Sequence, residues 1–158
     1  MPSVYIDAKF ASMSQDFVKK HTSIAGKGIF TTNVELMIFA SMVGYESAKD
    51  WKKHSVKDRG NEIEDSTFVT GLKDGIPYLI ALQTMQNGDI LRDNPPENEI
   101  QIWKLFENYA QLGFSEMEKW IMESPGDTDG VETILNKMKE KAEALISKSG
   151  PDPHKVEF

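Results

Sequence analysis

The sequence predicts an all-α protein, a single compact bundle of about five to seven helices with two of them buried at its centre. Two observations lead there. A cap signature recurs at Thr32-x-x-Glu35, Asn94-x-x-Glu97, Ser115-x-x-Glu118 and Asp129-x-x-Glu132, each leading into an apolar-rich run. In that spacing the first side chain accepts from the backbone N–H three residues on, and the glutamate reaches back to the cap residue's own N–H. Two donors that a helix start leaves orphaned are then satisfied. The second observation is the pair Gly44 and Gly113, each closing an apolar run and followed by an aromatic residue. Both read as helix ends, where glycine takes the left-handed conformation.

In chain order, residues 4–6 begin a short extended piece and Ser12-x-x-Gln15 opens a helix to about Lys20, followed by a loop over 22–31. The first strong helix runs from Asn33 to Val43, and Val34, Leu36, Met37, Ile38, Phe39, Ala40, Met42 and Val43 leave it almost no polar face. A helix apolar all round belongs at the centre, so truncating Phe39 to alanine is expected to cost about 3–5 kcal/mol. Ser47 caps a short basic helix to His54, and a polar connection follows to about Thr67. The second core helix spans Ile76 to Gln86, with Leu79 in the core and Pro77 tolerated in the first turn. A third runs from Asn94-Pro95-Pro96 to Gly113, and a separate short one from Glu116 to Glu123. The last, Gly130 to Ser147, carries the stripe Val131, Ile134, Leu135, Met138, Ala142 and Leu145, with its opposite face rich in Glu and Lys. That is the pattern of a helix packed on the outside of a core. The expected domain is 1–148, with 149–158 as a flexible tail.

Composition narrows the function. The net charge of −7 is uneven: residues 1–60 hold nine Lys/Arg against six acids, and residues 61–158 nine against nineteen. Most of the surface should repel phosphate, which disfavours nonspecific adhesion to nucleic acid and leaves a local contact from the N-terminal third. The chain has no cysteine, so disulfides, thiolate metal sites and a cysteine nucleophile are excluded. The N-terminus has neither a basic nor an apolar leader segment, and the dense apolar stretch Val34–Val43 is far short of the ~20 residues of a membrane span. A cytoplasmic protein with no membrane association is expected.

The nucleic-acid candidate is the segment Lys49, Trp51, Lys52, Lys53, Lys57 and Arg59. Closely spaced cations can neutralise several phosphates, and Trp51 can stack on an exposed base. The alternative is a solvated face interrupted by Asp50 and Asp58, with Trp51 packed inward. Glu62, Glu64 and Asp65 form an acidic knot suited to a divalent ion or an acid/base pair, but no ligand with matching spacing accompanies them. Asp127-x-Asp129-Gly130 matches part of a calcium loop, yet Val131 and Met138 occupy ligand positions, so Asp129 is assigned to capping. His21, His54 and His154 share no ligand spacing, and Gly26-Lys27-Gly28 lacks the trailing residues of a phosphate loop. No catalytic residue, metal or cofactor is expected.

Three segments come in order: Glu35-Leu36-Met37-Ile38-Phe39-Ala40-Ser41-Met42-Val43-Gly44-Tyr45, then Tyr78-Leu79-Ile80-Ala81-Leu82, then Phe106-Glu107-Asn108-Tyr109-Ala110-Gln111-Leu112-Gly113-Phe114. Across about residues 30–122, without the last helix, the chain resembles dnd system-associated protein 4, a family of small helical proteins encoded beside bacterial DNA phosphorothioation clusters. The resemblance implies a role around DNA sulfur modification or the linked restriction of invading DNA, and it carries over no catalytic residue. The leading expectation is a non-enzymatic accessory or regulatory protein of such a phage-defence system, acting on a protein partner in a modification or restriction complex. A DNA-binding module through residues 49–59 is the alternative, and a metal-dependent nuclease using Glu62, Glu64 and Asp65 a second one. A homodimer through the last helix follows if its stripe is wider than one core contact needs.

Overall fold

A computed structural model of the chain describes residues 2–19, 29–71, 73–127 and 130–149. Strand β1 (Ser3–Asp7) leads into a helical stretch, a 3₁₀ turn over Ala8–Phe10, α1 (Ala11–Ser14) and a π turn over Gln15–Lys19. After it come α2 (Asn33–Glu46), a 3₁₀ turn over Trp51–Lys53, β2 (Arg59–Glu64), α3 (Asp65–Thr70), α4 (Gly75–Met85), α5 (Glu97–Met122) and α6 (Val131–Ser149). Helices dominate, as expected, around one small antiparallel sheet.

The centre is the pair α2 and α5, held by glycines that end nothing. α2 runs through Gly44 to Glu46, and α5 is one 26-residue helix through Gly113 to Met122. A Cβ at Gly44 would stand 2.1 Å from the Tyr109 carbonyl oxygen, and one at Gly113 1.7 Å from that of Ala40. Matching Ala40 to Gly113 and Gly44 to Tyr109 makes the helices antiparallel, with backbones in contact. The glycine-as-terminator reading is therefore corrected: both positions lack a side chain because a neighbouring backbone occupies its space. The separate helix expected from Glu116 is the last two turns of α5, and Ser115 starts nothing. Phe10, Phe17, Phe68, Trp103, Phe106 and Phe114 close the core around this seam.

Of the cap signatures, Thr32 behaves as expected, accepting from the Glu35 N–H at 3.3 Å, while Glu35 reaches back to the Thr31 N–H at 3.0 Å. α5 begins after Pro96 without a side-chain cap, and Asn98 instead donates to the Asp89 and Arg92 carbonyls at 3.0 and 3.2 Å. Asp7, not Ser12, opens the first helical stretch, and Asp50, not Ser47, caps the basic turn. Asp129, His21, His154, Gly26-Lys27-Gly28 and the 150–158 part of the expected tail lie outside the described residues. The start of α6 is held by Asp127, which accepts from the Thr133 N–H and hydroxyl, both at 2.7 Å.

β2 was expected as polar connection. It pairs antiparallel with β1, Val4 opposite Ile63 and Tyr5 opposite Glu62, with an irregularity between Tyr5 and Asp7. The free edge of β1 is covered by side chains of α5. Gln111 accepts from the Asp7 N–H at 3.0 Å and donates to the Tyr5 carbonyl at 2.8 Å, while Glu107 accepts from the Tyr5 N–H at 3.0 Å. An edge strand left unpaired invites association, and two buried polar side chains satisfy it here.

Candidate functional site

Three surface features follow from this arrangement. The first lies between α2 and α4. α2 gives Leu36, Met37, Ala40 and Val43 to the core but leaves Ile38 and Phe39 half-buried and Met42 exposed. α4 buries Pro77, Ile80 and Ala81, while Leu79 is 51% exposed. Leu79 is thus corrected from core to surface, and Phe39 from full burial to the wall of a groove, stacked 5.1 Å from Phe30. The groove, about 850 Å³, is lined by Phe30, Ile38, Phe39, Met42, Ile76 and Leu79 and flanked by the Glu35–Lys73 ion pair at 3.1 Å. The Thr31 N–H and the Lys73 ammonium hold the Glu35 carboxyl below its ordinary range. The sequence signal for the groove was the missing polar face of α2: one helix facing only one partner has more apolar sides than it can bury.

The second feature is the basic segment. Lys49 is committed to an ion pair with Glu116, which Lys119 also approaches at 3.5 Å. Burial raises the Glu116 carboxyl, and the contacts from Lys49 and Lys119 outweigh it to leave a lowered value. Trp51 is half-buried, its ring 5.7 Å from that of Tyr109, and the Lys52 ammonium lies 5.7 Å from its centroid. Arg59 stacks 4.7 Å over Tyr5. Lys57 donates its backbone N–H to Asp7 at 2.9 Å, and its side chain is exposed, as are those of Lys52 and Lys53. Lys52, Lys53, Lys57 and Arg59 have no ion-pair partner among the described residues. The half-buried His54 has its proton affinity lowered, first by burial and then by Lys9, with Lys119 and Lys49 acting the same way against Glu116.

The acidic knot is dispersed. β2 sends Glu62 and Glu64 to its exposed face, Glu62 accepting from the Tyr5 hydroxyl at 3.3 Å, while Asp65 is buried at the start of α3. Among the described residues no group of His, Cys, Asp or Glu is arranged to hold a metal ion, and no helix is long and apolar enough to cross a membrane.

The third feature is α6, whose stripe was expected to pack on the core. Among its described residues only Thr133 and Ile134 are buried, whereas Leu135 is 60% and Met138 42% exposed. The helix rests on its Lys137 and Lys141 side. Lys137 pairs with Glu123 at 3.5 Å, and Lys141 pairs with Glu46 at 2.6 Å and lies 5.6 Å from the Trp120 ring. These contacts rotate the apolar stripe into solvent.

Together these features define a class: a mostly helical protein whose larger cavities are open grooves and whose apolar surface exceeds what its own core uses. The sequence matches the family model of DNA sulphur modification system-associated protein 4 over residues 8–149, and the chain belongs to that family. The match reaches past the segments that carry the resemblance and takes in α6. No curated protein and no solved structure matches the chain.

Proposed function

We propose that this chain is an accessory or regulatory protein of the DNA sulphur modification system in the cytoplasm, acting in phage defence by contact with a protein component rather than by chemistry of its own. The observation that carries this is the α2/α4 groove. Its walls are apolar side chains projected from two fixed helices, the geometry that receives the apolar face of an amphipathic helix. Phe39 and Phe30 supply a paired aromatic wall, and aromatic side chains carry much of the energy of interfaces. The surrounding acidity keeps the molecule off bulk DNA while it waits for its partner.

The test is co-purification from the native host with mass spectrometry of what is retained. Wild-type chain should retain a modification or restriction component. A Met42→Glu, Leu79→Glu variant, altered only at exposed positions, should lose it. Recovery of free protein in both cases overturns the reading.

A second reading, direct DNA contact, is favoured by the basic segment. Lys52, Lys53, Lys57 and Arg59 have no ion-pair partner among the described residues, and Trp51 belongs to the turn that presents the first two. Each phosphate contact should add about 0.9 to the slope of log K against log salt. Mobility shifts over a salt series decide, with Lys52→Ala, Lys53→Ala as the comparison. No shift at low salt removes this reading.

A further inference from the structure

We infer that the small cavity where β1, β2 and α5 meet is a binding site for a phosphate group. The cavity, about 200 Å³, has Ser3 and Tyr5 of β1, Arg59 of β2 and Trp103, Lys104 and Glu107 of α5 in its wall. That volume admits a small ion or the phosphoryl end of a larger ligand, short of the ~300 Å³ at which sites for drug-sized molecules begin. The starting observation is a donor that the fold leaves unspent. Trp103 is only 1% exposed, and its indole N–H has no hydrogen-bond partner. A buried indole N–H normally finds an acceptor, and leaving that bond unmade is costly. The ring cannot swing to reach one, because Phe68, Phe106 and Tyr78 pack against it with centroids 5.1, 5.8 and 6.2 Å away. The acceptor therefore has to come to Trp103, and this cavity is open space that Trp103 borders.

The rest of the wall decides what that acceptor is. Arg59 holds its guanidinium 4.7 Å over the Tyr5 ring and has no ion-pair partner among the described residues. Lys104 gives one hydrogen to Glu107 at 3.0 Å, which leaves two on its ammonium, and Ser3 adds a hydroxyl. Both oxygens of Glu107 are engaged, one by Lys104 and the other by the Tyr5 N–H at 3.0 Å. Glu62, which accepts from the Tyr5 hydroxyl at 3.3 Å, is not part of the wall. Two cations beside one carboxylate whose oxygens are spent select an anion. Its donors come from three elements and so from different directions. A carboxylate presents two oxygens in one plane, whereas a tetrahedral phosphate offers an acceptor toward each donor.

Arg59 is shared with the basic segment, but Ser3, Trp103 and Lys104 are not, and the cavity has no residue in common with the α2/α4 groove. The site therefore stands or falls separately from the protein-contact reading. Free phosphate and the 5′-phosphate of a nucleotide share the chemistry that this wall recognises.

Proton–nitrogen correlation spectra of the full chain test this, because its three tryptophans give three indole N–H signals. Trp103→Phe, which keeps a ring in the packing, identifies the Trp103 signal by its loss. Inorganic phosphate added to the wild-type chain should move that signal downfield in a saturable way, with the Trp51 and Trp120 signals in place. Acetate at matched ionic strength should leave it still. Arg59→Gln, altered at an exposed position, should weaken the phosphate response about tenfold. Lys52→Ala, Lys53→Ala and the groove variant Met42→Glu, Leu79→Glu should both retain it. Thymidine 5′-monophosphate supplies the second source. Saturation below the concentration that inorganic phosphate needs assigns the site to a nucleotide phosphate, and saturation above it to the free ion. No saturable movement of the Trp103 signal with either compound overturns the inference, and so does an equal response to acetate.

Discussion

α2 and α6 are both rich in apolar residues, yet the fold treats them in opposite ways. α2 has hardly any amphipathic pattern and lies on the central seam, backbone against backbone with α5. α6 has a clean stripe and shows most of it to solvent. The comparison teaches that periodicity identifies which side chains share a face, while the neighbouring element decides which face is covered. At α2 the decision belongs to Gly44 and Gly113. At α6 it belongs to Lys137, Lys141 and their carboxylates, which seat the helix on the flank of its stripe.

The sharpest way to break this contrast is at the seam. Gly113→Ala adds a carbon that would lie 1.7 Å from a main-chain oxygen, which cannot rotate away, so α2 and α5 must separate. Such overpacking costs about 3 kcal/mol or more, and the gain in helix propensity, about 1 kcal/mol, does not offset it. Urea unfolding should show a lower midpoint. An unchanged midpoint would restore Gly113 as a helix end. The next largest effect concerns the edge of β1. Gln111→Ala leaves the Asp7 N–H and the Tyr5 carbonyl without their partner, and each buried polar group left unsatisfied costs about 1–3 kcal/mol. Amide exchange at Asp7 should accelerate more than at residues of α6. The smallest effect is expected from Leu135→Ala, because an exposed site away from a special contact stays within about 0.5 kcal/mol. Thermal unfolding at low concentration checks it, and a large loss would mean that the stripe is buried after all.

The sequence was most legible where the chemistry is local. Thr32 and Glu35 specify a helix start through their own hydrogen bonds, and Pro77 marks a first turn whatever surrounds it. It was less legible where two distant segments had to meet. Gly44 and Gly113 carry the same residue type as a helix terminator, and only the approach of the other helix distinguishes the two uses. Small residues spaced along one face, Ala40 with Gly44 and Ala110 with Gly113, were the available sign of that approach. β2 escaped because Ile63 is its single buried apolar side chain, too little to display alternation. The groove escaped because Phe39 and Leu79 are residues that a core would use, and no local pattern distinguishes a buried leucine from one at a surface awaiting a partner.

By itself the sequence determined the helical class, the placement of most of the main helices and the family, since propensity and apolar spacing act within a few residues of each other. Tertiary structure alone decided that α5 is unbroken, that Glu107 and Gln111 complete the sheet edge, and that the described residues leave two apolar surfaces uncovered. Those outcomes depend on which backbones come into contact and which ion pairs orient a helix, and both are set by residues far apart in the chain.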